Sequence, residues 1–214
     1  MKRMMLVLTA FALGATSTFT VSAQTPTTSA QSEQTLLPDR IVSGGYGAPV
    51  QRFSKIAGRG ALLTGIEGGW IVNHRFVLGA AGYGLATQNI RNAGSPLHDS
   101  RGRSPVVEMG YGGITLGYVV QPMRLTHLSF QVLLGGGGVT YDVQDIAGMR
   151  SEDAPADGFF VAEPSVHGEL NVSRFFRIGV GVGYRSVAGA SLEGLGDRDL
   201  RGASASLTLK LGRF

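Results

Sequence analysis

Along most of this chain, apolar residues alternate with polar residues or glycines at every second position, the period of a β-strand rather than of a helix. The clearest stretch is 159–186. Phe160, Ala162, Pro164, Val166, Gly168, Leu170 and Val172 share one parity, while Glu163, Ser165, His167, Glu169 and Asn171 share the other. After a turn at Ser173 the alternation resumes, with Phe176, Ile178, Val180, Val182 and Tyr184 set against Arg177, Gly179, Gly181, Gly183 and Arg185. The two runs predict a hairpin of long strands that is apolar on one face and charged on the other.

The same period predicts further strands. Residues 41–50 read as a glycine-rich first strand, followed by a basic connection over 52–59. In 61–72, Leu62, Thr64, Ile66, Trp70 and Val72 share a face opposite Glu67, and the chain reverses at Asn73 and His74. Residues 75–87 return, 106–120 follow, and a turn falls at Gln121 and Pro122. In 106–120, Glu108 shares parity with Ile114 and Leu116, which predicts a bulge near Gly112 and Gly113. Residues 125–141 set Leu128, Phe130, Val132 and Leu134 against His127, Ser129 and Gln131. The last strand, 200–214, collects Ala203, Ala205, Leu207, Leu209 and Leu211 on one side.

After the first, the connections alternate in length: short at Asn73, long over 88–104, short at Gln121, long over 142–158, short at Ser173, long over 187–199. An even number of antiparallel strands, with short turns at one rim and long loops at the other, is the plan of a transmembrane β-barrel. The predicted fold is therefore all-β, an eight-stranded antiparallel up-and-down transmembrane barrel over 41–214. Strand-end aromatics predict two interfacial girdles. One would hold Trp70, Phe76, Tyr118, Phe175 and Phe214, the other Phe53, Tyr83, Tyr141, Phe159 and Tyr184.

Composition sharpens this picture. Gly is 33 of 214 residues, roughly twice ordinary usage, and it falls inside the alternating runs, where it lets a narrow wall curve. Residues 1–23 read as an export signal, with Lys2 and Arg3 ahead of an apolar run and Val21-Ser22-Ala23 at the cleavage site. Residues 24–40, rich in Thr, Ser and Gln, read as a disordered periplasmic leader. Cys is 0, so an exported fold must close without disulfides. The formal net charge is +4, with Lys2 and Arg3 contributing two of the positive charges, and an excess this small does not predict a nucleic-acid partner.

An export signal, about eight glycine-rich amphipathic strands and a terminal Phe214 together resemble the small outer-membrane barrels of Gram-negative bacteria, of the OmpX and OmpA barrel type. The resemblance implies residence in the outer membrane among its lipid and lipopolysaccharide. It also implies that Phe214 belongs to the signal read by the barrel-insertion machinery. In that family apolar residues precede the terminal Phe at every second position. Here Lys210 takes one such place and Leu207, Leu209 and Leu211 lie on the other parity, so a twist at Gly212 is expected to restore the register.

The polar faces carry the candidate chemistry. Glu67, Glu163, His167, Glu169, Arg177 and Arg185 predict a lumenal ion-pair network, since charges inside a narrow barrel must be paired. The sharper alternative takes Glu163, His167 and Glu169 as acid, base or metal ligands. His74 and His127 stand alone. His98, Asp99, Ser95 and Ser100 in a long loop could supply a hydrolase or acyltransferase triad. Asp197, Arg198 and Asp199, with the acidic loop carrying Asp142, Asp145, Glu152, Asp153 and Asp157, could take divalent cations, while Arg91, Arg101 and Arg103 make a contrasting basic loop. Gly135 to Gly138 complete no nucleotide-binding pattern. The expected protein has no catalytic, cofactor or metal site and no enzymatic activity. It is a barrel filled by side chains, with a structural or surface-interaction role in adhesion or envelope integrity. A lipid-modifying outer-membrane enzyme and a soluble calycin-like barrel holding an apolar ligand are the alternatives.

Overall fold

The computed structural model describes residues 42–88, 90–98, 102–142 and 155–214. The export signal, the 24–40 leader and Ile41 lie outside the described residues, as do Asp99, Ser100, Arg101, Asp145, Glu152 and Asp153.

Eight long antiparallel strands close into one barrel. They are β1 (Ser43–Ile56), β2 (Arg59–Val72), β3 (Phe76–Leu85), β4 (Val106–Val120), β5 (Thr126–Asp142), β6 (Ala156–Asn171), β7 (Phe176–Ala188) and β10 (Gly202–Arg213). Each pairs with its neighbour in the chain, and β10 returns to β1, with Gly45 opposite Arg213 and Phe53 opposite Ala205. A small hairpin, β8 (Ser191–Leu192) with β9 (Leu195–Gly196), and a four-residue helix α1 (Asp197–Leu200) fill the connection before β10, which the sequence reads as a polar loop.

The faces fall where alternation puts them. Ile66 (72 % exposed), Phe160 (78 %), Val182 (66 %) and Val180 (60 %) stand outward, whereas Glu163, His167, Glu169 and Arg185 are buried. A soluble protein seldom exposes so large a contiguous apolar belt. The calycin-like alternative fails on this point, because it needs Val166, Val180 and Leu209 inside, and all three are exposed.

Four expectations are corrected. The first strand runs on to Ile56, so 52–59 is not a loop; the reversal is a two-residue turn at Ala57 and Gly58, both at positive φ, the geometry that matches strand twist. No bulge interrupts β4: Gly112 pairs with Gly82 and Gly136 in continuous register, and Glu108 is simply outward, opposite Thr140 near the loop end. No twist occurs at Gly212, which pairs with Tyr46, so Phe214 keeps the inward parity. Of the second predicted girdle, Phe53 and Tyr184 face outward, while Tyr83, Tyr141 and Phe159 are interior; Phe160 takes the outward place instead.

The glycines at the β4–β5 seam are there for closeness. A Cβ on Gly113 would meet the Leu134 carbonyl, and one on Gly135 the Gly112 carbonyl, so the wall bends too tightly there for any side chain.

Candidate functional site

Inward parity on eight strands sends the polar faces into one lumen, where they sort into two clusters at different heights. Toward the loop end, the Arg52 guanidinium lies 2.5 Å from the Glu163 carboxylate and donates to the hydroxyls of Tyr111 (3.1 Å) and Tyr83 (3.0 Å). Glu163 also accepts from Tyr111 (2.8 Å) and Ser204 (2.8 Å). The guanidinium sits 4.0 Å above the Tyr83 ring, and both charges are shut from solvent, with side-chain exposures of 6 % and 1 %.

Toward the short turns, the Lys210 ammonium donates to Glu169 at 2.7 Å and stands 3.9 Å from Glu67. Glu169 accepts from Ser129 (2.6 Å), with His127 Nε2 at 3.3 Å and Arg177 at 4.0 Å. Tyr46 donates a long 3.5 Å bond to Glu67. Below this cluster the Phe214 ring stacks on Tyr46 with centroids 6.3 Å apart, and Arg177 lies 3.9 Å over it.

The predicted network exists, with different members. Glu67, Glu163, Glu169 and Arg177 belong to it. Arg185, fully buried, pairs with no carboxylate among the described residues: it donates to the backbone carbonyls of Leu200 (2.8 Å) and Lys55 (3.2 Å), tying β7 to α1 and the end of β1. His167 meets Ser165 Oγ at 2.9 Å. Sequence reasoning missed Arg52 and Lys210, the cations closest to the carboxylates. The signal for both was parity, since Arg52 continues the inward series of Tyr46, Ala48 and Val50, and Lys210 that of Ser204, Ser206 and Thr208. The metal reading of Glu163, His167 and Glu169 is not supported, because Glu163 and Glu169 sit in separate clusters and each is already bound by a cation. Among the described residues no group of three potential ligands is placed to hold a metal.

Above the lumen lies an apolar cap. Ile90, Leu192, Leu195 and Leu200 from the connections pack on Val107, Val139 and Val187 of the wall. Asn92 donates to the Gly194 carbonyl (2.7 Å) and to Tyr141 Oη (2.8 Å), whose hydroxyl donates to the Glu193 carbonyl (2.7 Å). Asp157 accepts from the backbone N–H and the hydroxyl of Ser191, and those bonds hold its carboxyl below the usual carboxylate range. Asp197 accepts from Ala190 N–H (2.8 Å) and Asp199 from Gly196 N–H (2.9 Å), so these carboxylates brace the loop. Of the triad candidates, His98 is exposed beside the Pro96 carbonyl (2.9 Å) and Ser95 is buried, accepting from Leu97 N–H. His74 lies at the Asn73 turn and His127 in the lower cluster.

No family model and no curated protein sequence matches the chain. Among solved structures the fold is similar to Neisserial surface protein A, NspA, with a TM-score of 0.54 over 82 % of this chain and 99 % of that one, at 9 % identity. It is also similar to Ail, the attachment invasion locus protein of Yersinia pestis, in complex with the heparin analogue sucrose octasulfate, with a TM-score of 0.50 over 79 % and 97 % of the two chains, at 11 % identity. At such identities the likeness is one of fold, that of the small eight-stranded outer-membrane β-barrels.

Proposed function

We propose that this protein resides in the outer membrane as a closed anchor, holding a braced loop cap at the cell surface for contact with other molecules, and that it has no catalytic role. The observation that carries this reading is the filled interior. Two ion clusters occupy the lumen, Leu192, Leu195 and Leu200 pack over one end, and Phe214 with Arg177 stands at the other. Eight strands leave an interior only wide enough for side chains, so the part left for interaction is the loop end.

In this reading the short turns face the periplasm and the long connections face outward, as in other barrels of this plan. Outer-membrane lipid and lipopolysaccharide surround the belt, and the insertion machinery acts on the strand that ends at Phe214. The names of the two similar structures, a surface protein and an attachment invasion locus protein, agree with a surface role.

The test is a planar-bilayer recording on the refolded mature chain, together with fractionation of cells that express it. The expected outcome is recovery with the outer membrane and no stable conductance. A large, steady conductance would overturn the closed-anchor reading, and recovery as a soluble protein would overturn the location.

A further inference from the structure

The short-turn end has a charge pattern of its own. Arg75, Arg124 and Arg174 each sit in a turn, and Arg213 ends β10; all are exposed. The described carboxylate side chains lie elsewhere: Glu67, Glu163 and Glu169 in the lumen, the others at the loop end. Among the described residues this rim is cationic, and none of these guanidiniums has an acidic partner.

Two of the turns form a cleft. Because β3 pairs with β4, with Phe76 opposite Tyr118 and Val119 N–H donating to the Arg75 carbonyl (2.7 Å), the turn at Asn73 lies beside the turn at Gln121. Between them is a space of about 360 Å³ lined by His74, Arg75, Gln121, Met123 and Arg124. That is within the roughly 300–1,000 Å³ range of small-molecule sites. Its cationic rim meets an apolar flank, where Phe76 and Tyr118 pack edge to face on the outer wall and Met123 (74 % exposed) and Leu125 (68 %) project beyond the strands. A ligand suited to both surfaces is an anionic amphiphile.

Resting on the orientation proposed above, we infer that this cleft binds the phosphodiester headgroup of an anionic phospholipid in the periplasm-facing leaflet. Arg75 and Arg124 take the phosphate oxygens, which guanidinium geometry favours. The acyl chains lie on Phe76, Tyr118 and Leu125.

The test uses the mature chain reconstituted in vesicles of phosphatidylcholine with a minor share of phosphatidylglycerol, then extracted in mild detergent and weighed by native mass spectrometry. The wild type is expected to retain phosphatidylglycerol, and Arg75→Gln/Arg124→Gln to lower that retention roughly 30-fold. Arg174→Gln/Arg213→Gln, which removes the same charge away from the cleft, is expected to leave retention within about threefold of wild type. Equal loss in both variants would reduce the cleft to unspecific rim charge and overturn the site, as would undiminished retention in the first. Heat-modifiable migration of the same samples reports folding and insertion separately. A wild type that inserts yet shows no preference for phosphatidylglycerol sinks this inference alone, and one that does not insert sinks the membrane reading with it.

Discussion

The two lumenal clusters are built from the same kinds of residue, yet they are finished differently. Around Glu163 every partner is close: Arg52 at 2.5 Å, Tyr111 and Ser204 each at 2.8 Å. Around Lys210 one cation is shared by two carboxylates, at 2.7 Å and 3.9 Å, with Arg177 at 4.0 Å. Polar atoms without a protein hydrogen bond occur in both clusters, Arg52 Nε in the upper and His127 Nδ1, Thr208 Oγ1 and Arg177 Nε in the lower. The upper cluster is a tight lock beneath the apolar cap, and the lower one is a looser web near the Phe214 mouth. The difference teaches that closure is concentrated at the loop end.

On that contrast the largest effect comes from the upper cluster. Glu163→Gln keeps one acceptor oxygen where Tyr111 and Ser204 use two, and it leaves the Arg52 charge enclosed without a counter-ion. Breaking one half of a buried pair costs about 3–5 kcal/mol. Urea titration of folding into lipid vesicles should show a loss of that size. Replacing both members, as Arg52→Met/Glu163→Leu, should restore most of it, because a well-packed apolar pair avoids the desolvation cost. A double variant as unstable as the sum of its parts would mean that packing, not charge, sets the penalty.

A smaller loss is expected below. In Lys210→Met, Glu169 still has Ser129, His127 and Arg177 within reach, and Glu67 has the Tyr46 hydroxyl. What goes is one strong charged hydrogen bond, worth about 1.5–3 kcal/mol, together with the longer 3.9 Å ion pair to Glu67. The same titration checks it. A penalty equal to that of Glu163→Gln would erase the distinction between lock and web.

Strands that span both the belt and the charged lumen were the legible part of this fold. In β2, β5, β6 and β7 lipid on one side and paired charge on the other enforce alternation, and the faces of Ile66, Phe130, Val166 and Val180 could be read directly. Legibility stopped where one of those pressures stops. Residues 51–55 rise toward the loop end, where the outer wall no longer needs to be apolar, so Gln51, Arg52, Ser54 and Lys55 read as a loop although they continue β1. Glu108 is outward for the same reason. In β3 small residues occupy both faces, which concealed that Tyr83 points inward and supplies a hydroxyl to Arg52. The cap was hidden most completely, since the packing of Ile90 on Leu195 and the Asn92 bond to Gly194 join segments about a hundred positions apart and follow no period.

The smallest effect tests the open side of the comparison. With Lys210 and Phe214 on one parity, the terminal ring is directed into the mouth, stacked on Tyr46 and covered by Arg177, rather than out among the apolar residues of the belt. An aromatic pair and a cation over a ring contribute roughly 0.5–1.5 and 0.5–1 kcal/mol when partly exposed. Phe214→Ala should therefore lower stability in refolding titrations by about 1–2 kcal/mol, well under the Glu163→Gln loss, and Phe214→Trp should hold close to wild type. Refolding from urea needs no insertion machinery, so this penalty isolates packing from recognition; a further fall in outer-membrane yield for Phe214→Ala in cells would measure the second role. If Phe214→Ala instead matched Glu163→Gln in vitro, the turn end would be as firmly closed as the cap, and the barrel would have two locks instead of one.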